Sequence, residues 1–243
     1  MPLARVSMLL PLLSLLAVLA VLNGCSTPGA SFARPVDRAP AQSSLISGGA
    51  TIPIAFIAEG DLVDQFDLEA VTTVDEVAAI PFAAFDYALS NSTYFGVSGA
   101  YIGINGQNVG VVVTPRLEIA MDEAQRLALA IELPLGVLEG DDDFGDSVIQ
   151  PYAAPRVGLR WGIPTGFGGV VFTQQISIAF ISFGLPGSLA YDIPIPLGDS
   201  ARLHIFPEFR WDPLVVLTSF DSDDSISGFI MPLSVGGSIM LEL

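Results

Sequence analysis

Along residues 111–121, VVVTPRLEIAM, one parity reads Val111, Val113, Pro115, Leu117, Ile119 and Met121. The other reads Val112, Thr114, Arg116, Glu118 and Ala120. Along 126–137, RLALAIELPLGV, Leu127, Leu129, Ile131, Leu133, Leu135 and Val137 oppose Arg126, Ala128, Ala130, Glu132, Pro134 and Gly136. A period of two belongs to a β-strand, whose successive side chains point to opposite faces. The alternation recurs from residue 93 onward and predicts eight strands: 93–105, 109–121, 126–138, 149–163, 169–182, 187–197, 201–217 and 228–243. In PRVGLRWGI, Val157, Leu159, Trp161 and Ile163 oppose Arg156, Gly158, Arg160 and Gly162. In RLHIFPEFRW, Leu203, Ile205, Phe209 and Trp211 oppose Arg202, His204, Glu208 and Arg210. Residues 51–92 read two ways. TIPIAFIA and IPFAAFDYALS are two further strands with an acidic connection, or the stretch is a periplasmic segment or an internal plug.

Charge sorts with parity. Arg116, Arg126, Arg156, Arg160, Arg202 and Arg210, with Glu118, Glu132, Asp192, Glu208 and Glu242, all fall on the less apolar face. A soluble sheet also puts charge outward, so this alone does not separate the folds. The rest of that face is small: Gly96, Ser98, Ala100, Ala128, Ala130, Gly136, Ala154, Gly158, Gly162, Ser177, Ala179, Ala190 and Ser234. Small residues between charges of both signs suit a narrow enclosed lumen, where bulk is limited and charges must pair. The large aliphatics then face lipid, and each segment has the ~9–11 residues a tilted transmembrane strand needs. The fold class predicted is all-β, an antiparallel up-and-down transmembrane β-barrel of 8–10 strands. Its lumen charge network is Arg116, Glu118, Glu132, Arg156, Arg160, Asp192, Arg202, His204, Glu208 and Arg210.

The connections agree. The two long acidic ones, EGDDDFGDSV and TSFDSDDSIS, are the third and seventh between the eight strands, so both lie at one end of an up-and-down barrel. In this layout residues 93–243 resemble the small outer-membrane β-barrel proteins, which carry long loops outside and short turns and both termini in the periplasm. Those proteins commonly end in Phe, whereas this chain ends in Leu243. Prolines oppose the reading: Pro115, Pro134, Pro151, Pro155, Pro194, Pro196, Pro207 and Pro232 lie in or near the strands. Each removes a ladder hydrogen bond, and a closed barrel has no free edge to absorb the loss. They favour an alternative, a soluble periplasmic β-sandwich or lipocalin-like lipoprotein binding an apolar ligand.

Residues 1–25, MPLARVSMLLPLLSLLAVLAVLNGC, place one Arg before a long apolar run that ends in small and polar residues, the layout of a secretory signal. The ending Leu22-Asn23-Gly24-Cys25 resembles the bacterial lipobox. That resemblance implies a signal peptide over 1–24, a covalent lipid on Cys25, and an anchor on the periplasmic side of the bacterial outer membrane. Several acyl chains on one residue give stable anchoring, because each buried methylene contributes ~0.8 kcal/mol. Residues 26–50, rich in Ser, Pro, Ala and Gly, are expected as a flexible tether.

Composition narrows the function classes. The 243-residue chain is 51% hydrophobic with net charge −17, and its nine basic residues are all Arg. Phosphate binding needs a basic patch, so nucleic acid is excluded as a partner and membrane lipid is the expected one. Cys25 is the only cysteine, which excludes an intrachain disulfide. His204 is the only histidine. It lies ~13 Å by strand rise from Glu208, too far for a direct pair within one strand. No serine motif accompanies it, so it reads as a hydrogen-bonding lumen residue and the protein as non-enzymatic. Asp141, Asp142, Asp143 and Asp146, with Asp221, Asp223 and Asp224, offer hard oxygens for weakly bound Ca²⁺ or Mg²⁺ bridging to lipid phosphates. The simpler reading is a pair of solvated like-charged loops. The expected role is structural or surface-interacting, with limited small-solute passage through a polar pore as its extension.

Overall fold

The computed structural model describes residues 34–36, 39–60, 71–73, 79–104, 107–122, 126–141, 147–179, 182–218 and 226–243. Ten antiparallel strands form one closed sheet. They are β1 (Ser44–Gly60), β2 (Ile80–Ser90), β3 (Thr93–Ile104), β4 (Gln107–Ala120), β5 (Leu127–Glu132 continued by Leu135–Asp141) and β6 (Ser147–Ala153 continued by Arg156–Pro164). β7 is Gly169–Ala179, β8 is Ser182–Gly184 continued by Gly187–Pro196, β9 is Arg202–Trp211 continued by Leu214–Thr218, and β10 is Ile226–Glu242. Each strand pairs with the next, and β10 closes on β1 from Leu45↔Glu242 to Gly60↔Gly228. Ser44 and Leu243 exchange both backbone bonds, so the two chain ends of the barrel meet. Val71–Thr73 adds to β1 opposite Ala55–Ile57.

The two readings of 51–92 resolve into strands, which makes ten. The expected tether also differs. β1 begins at Ser44, and Arg34, Pro35, Val36 and Ala39 are buried. Ser47 and Gly49, small residues that read as linker, share with Thr51 the lumen parity of a strand whose other parity carries Ile46 and Ile52.

Parity sets inside from outside. In β6, Leu159 is 46% exposed, Arg160 1% and Trp161 53%. Val111, Val113, Ile131, Leu135, Val157, Leu189 and Ile239 are likewise exposed on the outer wall, while Arg116, Glu132, Arg156, Glu208 and Arg210 are buried inside. Among the described residues the aliphatic rows face outward and the charges inward, the reverse of a soluble sandwich or a lipocalin-like barrel, whose apolar faces are enclosed. An Arg on the lipid face costs ~2–4 kcal/mol at the bilayer midplane. A one-residue register slip would move several arginines there at once, so register is held mainly by this penalty. No described helix is long and apolar enough to cross a membrane, which says nothing of a β-barrel. Its closed sheet with an apolar outer wall has the layout of outer-membrane β-barrels.

The short turns, Asn91–Ser92, residues 121–126, Thr165–Gly168 and residues 197–201, share one end with Ser44 and Leu243. That is the periplasmic end of such a barrel. The longer connections, after Gly60, Asp141 and Thr218, lie at the other end.

Six prolines have a consistent place. β5, β6, β8 and β9 are each interrupted for two residues, at Leu133–Pro134, Ala154–Pro155, Leu185–Pro186 and Asp212–Pro213. The seams are bridged by bonds whose acceptor is a proline carbonyl: Leu133 N–H to Pro115, Ala154 to Pro134, Ile178 to Pro155, Gln175 to Pro186, Leu185 to Pro213 and Asp212 to Pro232. One such bond falls in each of six consecutive seams, from β4–β5 to β9–β10. Proline keeps its acceptor while lacking a donor. Six prolines therefore share one belt, while Pro53, Pro81, Pro151, Pro164, Pro194, Pro196 and Pro207 lie within strands elsewhere in the wall.

Candidate lumen site

Inward side chains of neighbouring strands form a charged row. Asp86, Gly96, Arg116, Glu132, Arg156 and Ser177 are register partners in turn from β2 to β7. Asp86, 1% exposed, holds Arg116 by two bonds, Nε to Oδ1 at 2.6 Å and Nη2 to Oδ2. The Gly96 between them is required by space, because a Cβ there would lie 1.8 Å from Asp86 Oδ1. Arg156 Nη1 stands 3.9 Å from Glu132 Oε2. Nearer the periplasm, Arg160 Nε donates to Glu118 Oε1 at 3.1 Å.

A second group lies across the lumen. His204 Nδ1 is 2.7 Å from Asp192 Oδ1 and Nε2 is 3.3 Å from Glu242 Oε2, with the ring stacked on Phe206 at 6.0 Å. Arg210 Nε is 3.4 Å from Glu208 Oε1, and its Nη1 donates to Thr51 Oγ1 at 3.1 Å. Unpaired charges in so dry a place would cost several kcal/mol each, and these meet an opposite charge, His204 on both neighbouring strands and Arg210 within β9 itself.

The segment before β1 completes the site. Arg34 Nη2 donates to Asp86 Oδ1 at 3.0 Å, and the Val36 N–H donates to Asp192 Oδ2 at 2.9 Å. Arg160 Nη1 donates to the Pro35 carbonyl at 3.3 Å, and Tyr94 Oη to that of Ala39 at 2.9 Å. Burial, then the neighbouring Arg116, push the Arg34 guanidinium below its ordinary pKa, while Asp86 pulls it up. The chain reverses into β1 at Gln42, whose φ of 72° is left-handed and whose N–H reaches the Ala88 carbonyl at 2.7 Å. Val36 and Ala39 join Leu45, Ala88, Tyr94, Val171, Ala190, Phe206 and Met240 in an apolar cluster inside the barrel. The lumen is occupied at its periplasmic end by the chain itself.

Of the residues expected in the lumen, Arg116, Glu132, Arg156, Arg160, Asp192, His204, Glu208 and Arg210 are buried, and Glu118 is half-buried. Arg202 differs. It has lumen parity but opens β9 at the periplasmic rim, where it is exposed, so parity alone misplaces it. Sequence reasoning missed Asp86, although Phe82, Ala84 and Ala88 share its buried parity. It also missed Arg34, Val36 and Tyr94; the first two lie in a stretch with no period to mark them. Cys25, Asp142, Asp143, Asp146, Asp221, Asp223 and Asp224 lie outside the described residues, as does the side chain of Asp141. Among the described residues no group of three or more His, Cys, Asp or Glu is placed to hold a metal.

No family model and no curated protein matches the sequence. Solved structures match on fold. The outer membrane protease OmpT from Escherichia coli is 9% identical, with 84% of this chain and 96% of that one covered at TM-score 0.42. An outer membrane channel from Pseudomonas putida F1 is 9% identical, with 88% and 100% covered at TM-score 0.44. The β domain of the Bordetella autotransporter BrkA is 13% identical, with 82% and 98% covered at TM-score 0.38. The expectation of a non-enzymatic protein is overturned here. A protease stands among barrels of this fold, and activity resides in a site grafted on a fold, not in the fold or in the lack of a short motif.

Proposed function

We propose that the protein is a lipid-anchored outer-membrane barrel, closed at rest, with a structural and surface-interacting role and restricted passage of small solutes. The observation that supports closure is the filling of the periplasmic end by Arg34, Pro35, Val36 and Ala39 among Leu45, Tyr94, Phe206 and Met240. Support for the anchor is the run Leu22-Asn23-Gly24-Cys25 behind an apolar leader. Support for a surface role is the sequence of the connections at the end away from the termini. Residues 59–79, 139–146 and 221–224 carry Glu59, Asp61, Asp64, Glu139, Asp141 and Asp221 among their acids and no Arg. A surface of one sign repels like-charged molecules and selects partners by charge.

The test joins two measurements on the mature protein. Mass spectrometry of its N-terminal peptide is expected to find an acylated Cys25, and planar bilayers are expected to record a silent channel at rest. A free Cys25 thiol would remove the anchor from the proposal. A steady open conductance would remove the closed barrel.

A further inference from the structure

The barrel wall is complete without residues 34–39, since β10 closes on β1 by strand pairing. Yet β2, β3, β6 and β8 each spend a polar side chain on that segment, through Asp86, Tyr94, Arg160 and Asp192. We propose that the lumen is a binding site for an extended, arginine-bearing peptide, that the chain's own residues 34–36 and 39 fill it as a displaceable latch, and that its release opens a hydrated path. The proposal rests on the reading of a barrel closed at rest.

The contacts are those of peptide recognition. One guanidinium meets a carboxylate, one backbone N–H meets a second carboxylate, and two backbone carbonyls receive donors. The wall is cut to the segment as well. A Cβ at Gly169 would lie 2.5 Å from Val36 Cγ2, and one at Gly162 would lie 3.4 Å from Val36 Cα. Gly169 leaves a notch that Val36 occupies, while a Cβ at Gly162 would only touch it.

Release leaves no stranded charge in the wall. Asp86 keeps Arg116, Asp192 keeps His204 and Arg160 keeps Glu118. Breaking a buried pair is costly chiefly when it abandons an uncompensated charge, and here Arg34 departs toward water while each wall partner retains a second one. On β7 and β8, the strands that carry Gly169 and Asp192, Thr173 Oγ1, both amide atoms of Gln175 and Ser188 Oγ are buried and bond to no other protein group. Polar atoms so placed take water, which makes this wall the path past a displaced segment.

The experiment is single-channel recording on the full chain with the Cys25→Ser background, folding being checked by mobility of unboiled samples. Arg34→Ala is the opening variant, because Arg34 lies outside the wall and Asp86 keeps Arg116 in its absence. It is expected to raise open probability at least tenfold over a silent parent. A synthetic peptide of residues 33–40, ARPVDRAP, added on the periplasmic side is expected to silence it again. A Val36→Cys, Gly162→Cys pair fits a disulfide, whose Cβ–Cβ separation is ~3.5–4.5 Å. Oxidised, that pair is expected to abolish openings in the Arg34→Ala chain, and dithiothreitol to restore them. An Arg34→Ala chain as silent as its parent, openings that persist in the oxidised pair, or a pair that fails to crosslink would each overturn the latch. A parent that conducts steadily would instead overturn the closed barrel, so the two failures are distinguishable.

Discussion

At the residue scale, the wall depends on which charges are dry. Asp86 answers both Arg116 and Arg34, and Gly96 leaves room for its carboxylate. Asp86→Asn keeps the shape and removes the charge, so two guanidinium groups lose their common acceptor. Breaking a buried pair this way costs ~3–5 kcal/mol. Arg202→Ala removes an exposed rim charge and is expected to change stability by no more than ~0.5 kcal/mol. Urea unfolding of the two variants in the same detergent checks the contrast. Equal losses would mean that parity, and not burial, governs these charges.

At the element scale, the belt of proline carbonyls divides the wall into two zones. On the side nearer the termini the ladder between β6 and β7 runs unbroken from Arg156↔Ser177 to Pro164↔Gly169, and that between β8 and β9 skips only Tyr191–Asp192 opposite Phe206–Pro207. At the belt, four strands lose regular pairing for two residues. Local opening propagates along continuous ladders and stops where they are interrupted. Amide exchange is therefore expected to fall into two classes in β5, β6, β8 and β9, with boundaries at 133–134, 154–155, 185–186 and 212–213. Mass-resolved exchange on overlapping peptides reads this directly. A smooth gradient with no step at those positions would remove the division. The belt also answers part of the objection raised by sequence. Prolines harm a closed sheet when the gaps they open go unbridged, and here Pro134, Pro155, Pro186 and Pro213 each sit in one gap and serve as acceptors across the adjoining seams.

At the scale of the whole molecule, charge and topology point the same way. The described arginines lie in the lumen or towards the periplasmic end, while the connections after Gly60, Asp141 and Thr218 are acidic in sequence. An epitope inserted between residues 142 and 146 is expected to bind antibody on intact cells. One inserted at Gly198, in the turn between β8 and β9, is expected to bind only after permeabilisation. The reverse pattern would invert the barrel in the membrane.

The sequence by itself determined the wall. A period of two, with Leu, Val and Ile on one parity and Arg, Glu, Gly and Ala on the other, is a local property, and the cost of charge in lipid leaves it one orientation. The strands from residue 93 onward, the shared end of the long connections and most of the buried charges were legible for that reason. Only the tertiary structure decided which charges meet. Arg116 meets Asp86 two strands away, and His204 meets Asp192 and Glu242 on both its neighbours, because closure of the sheet sets those distances. Tertiary structure alone also revealed the occupant of the lumen. Residues 34–36 and 39 belong to a stretch with no period of its own, and their conformation comes from a cavity that exists only once ten strands have closed around it.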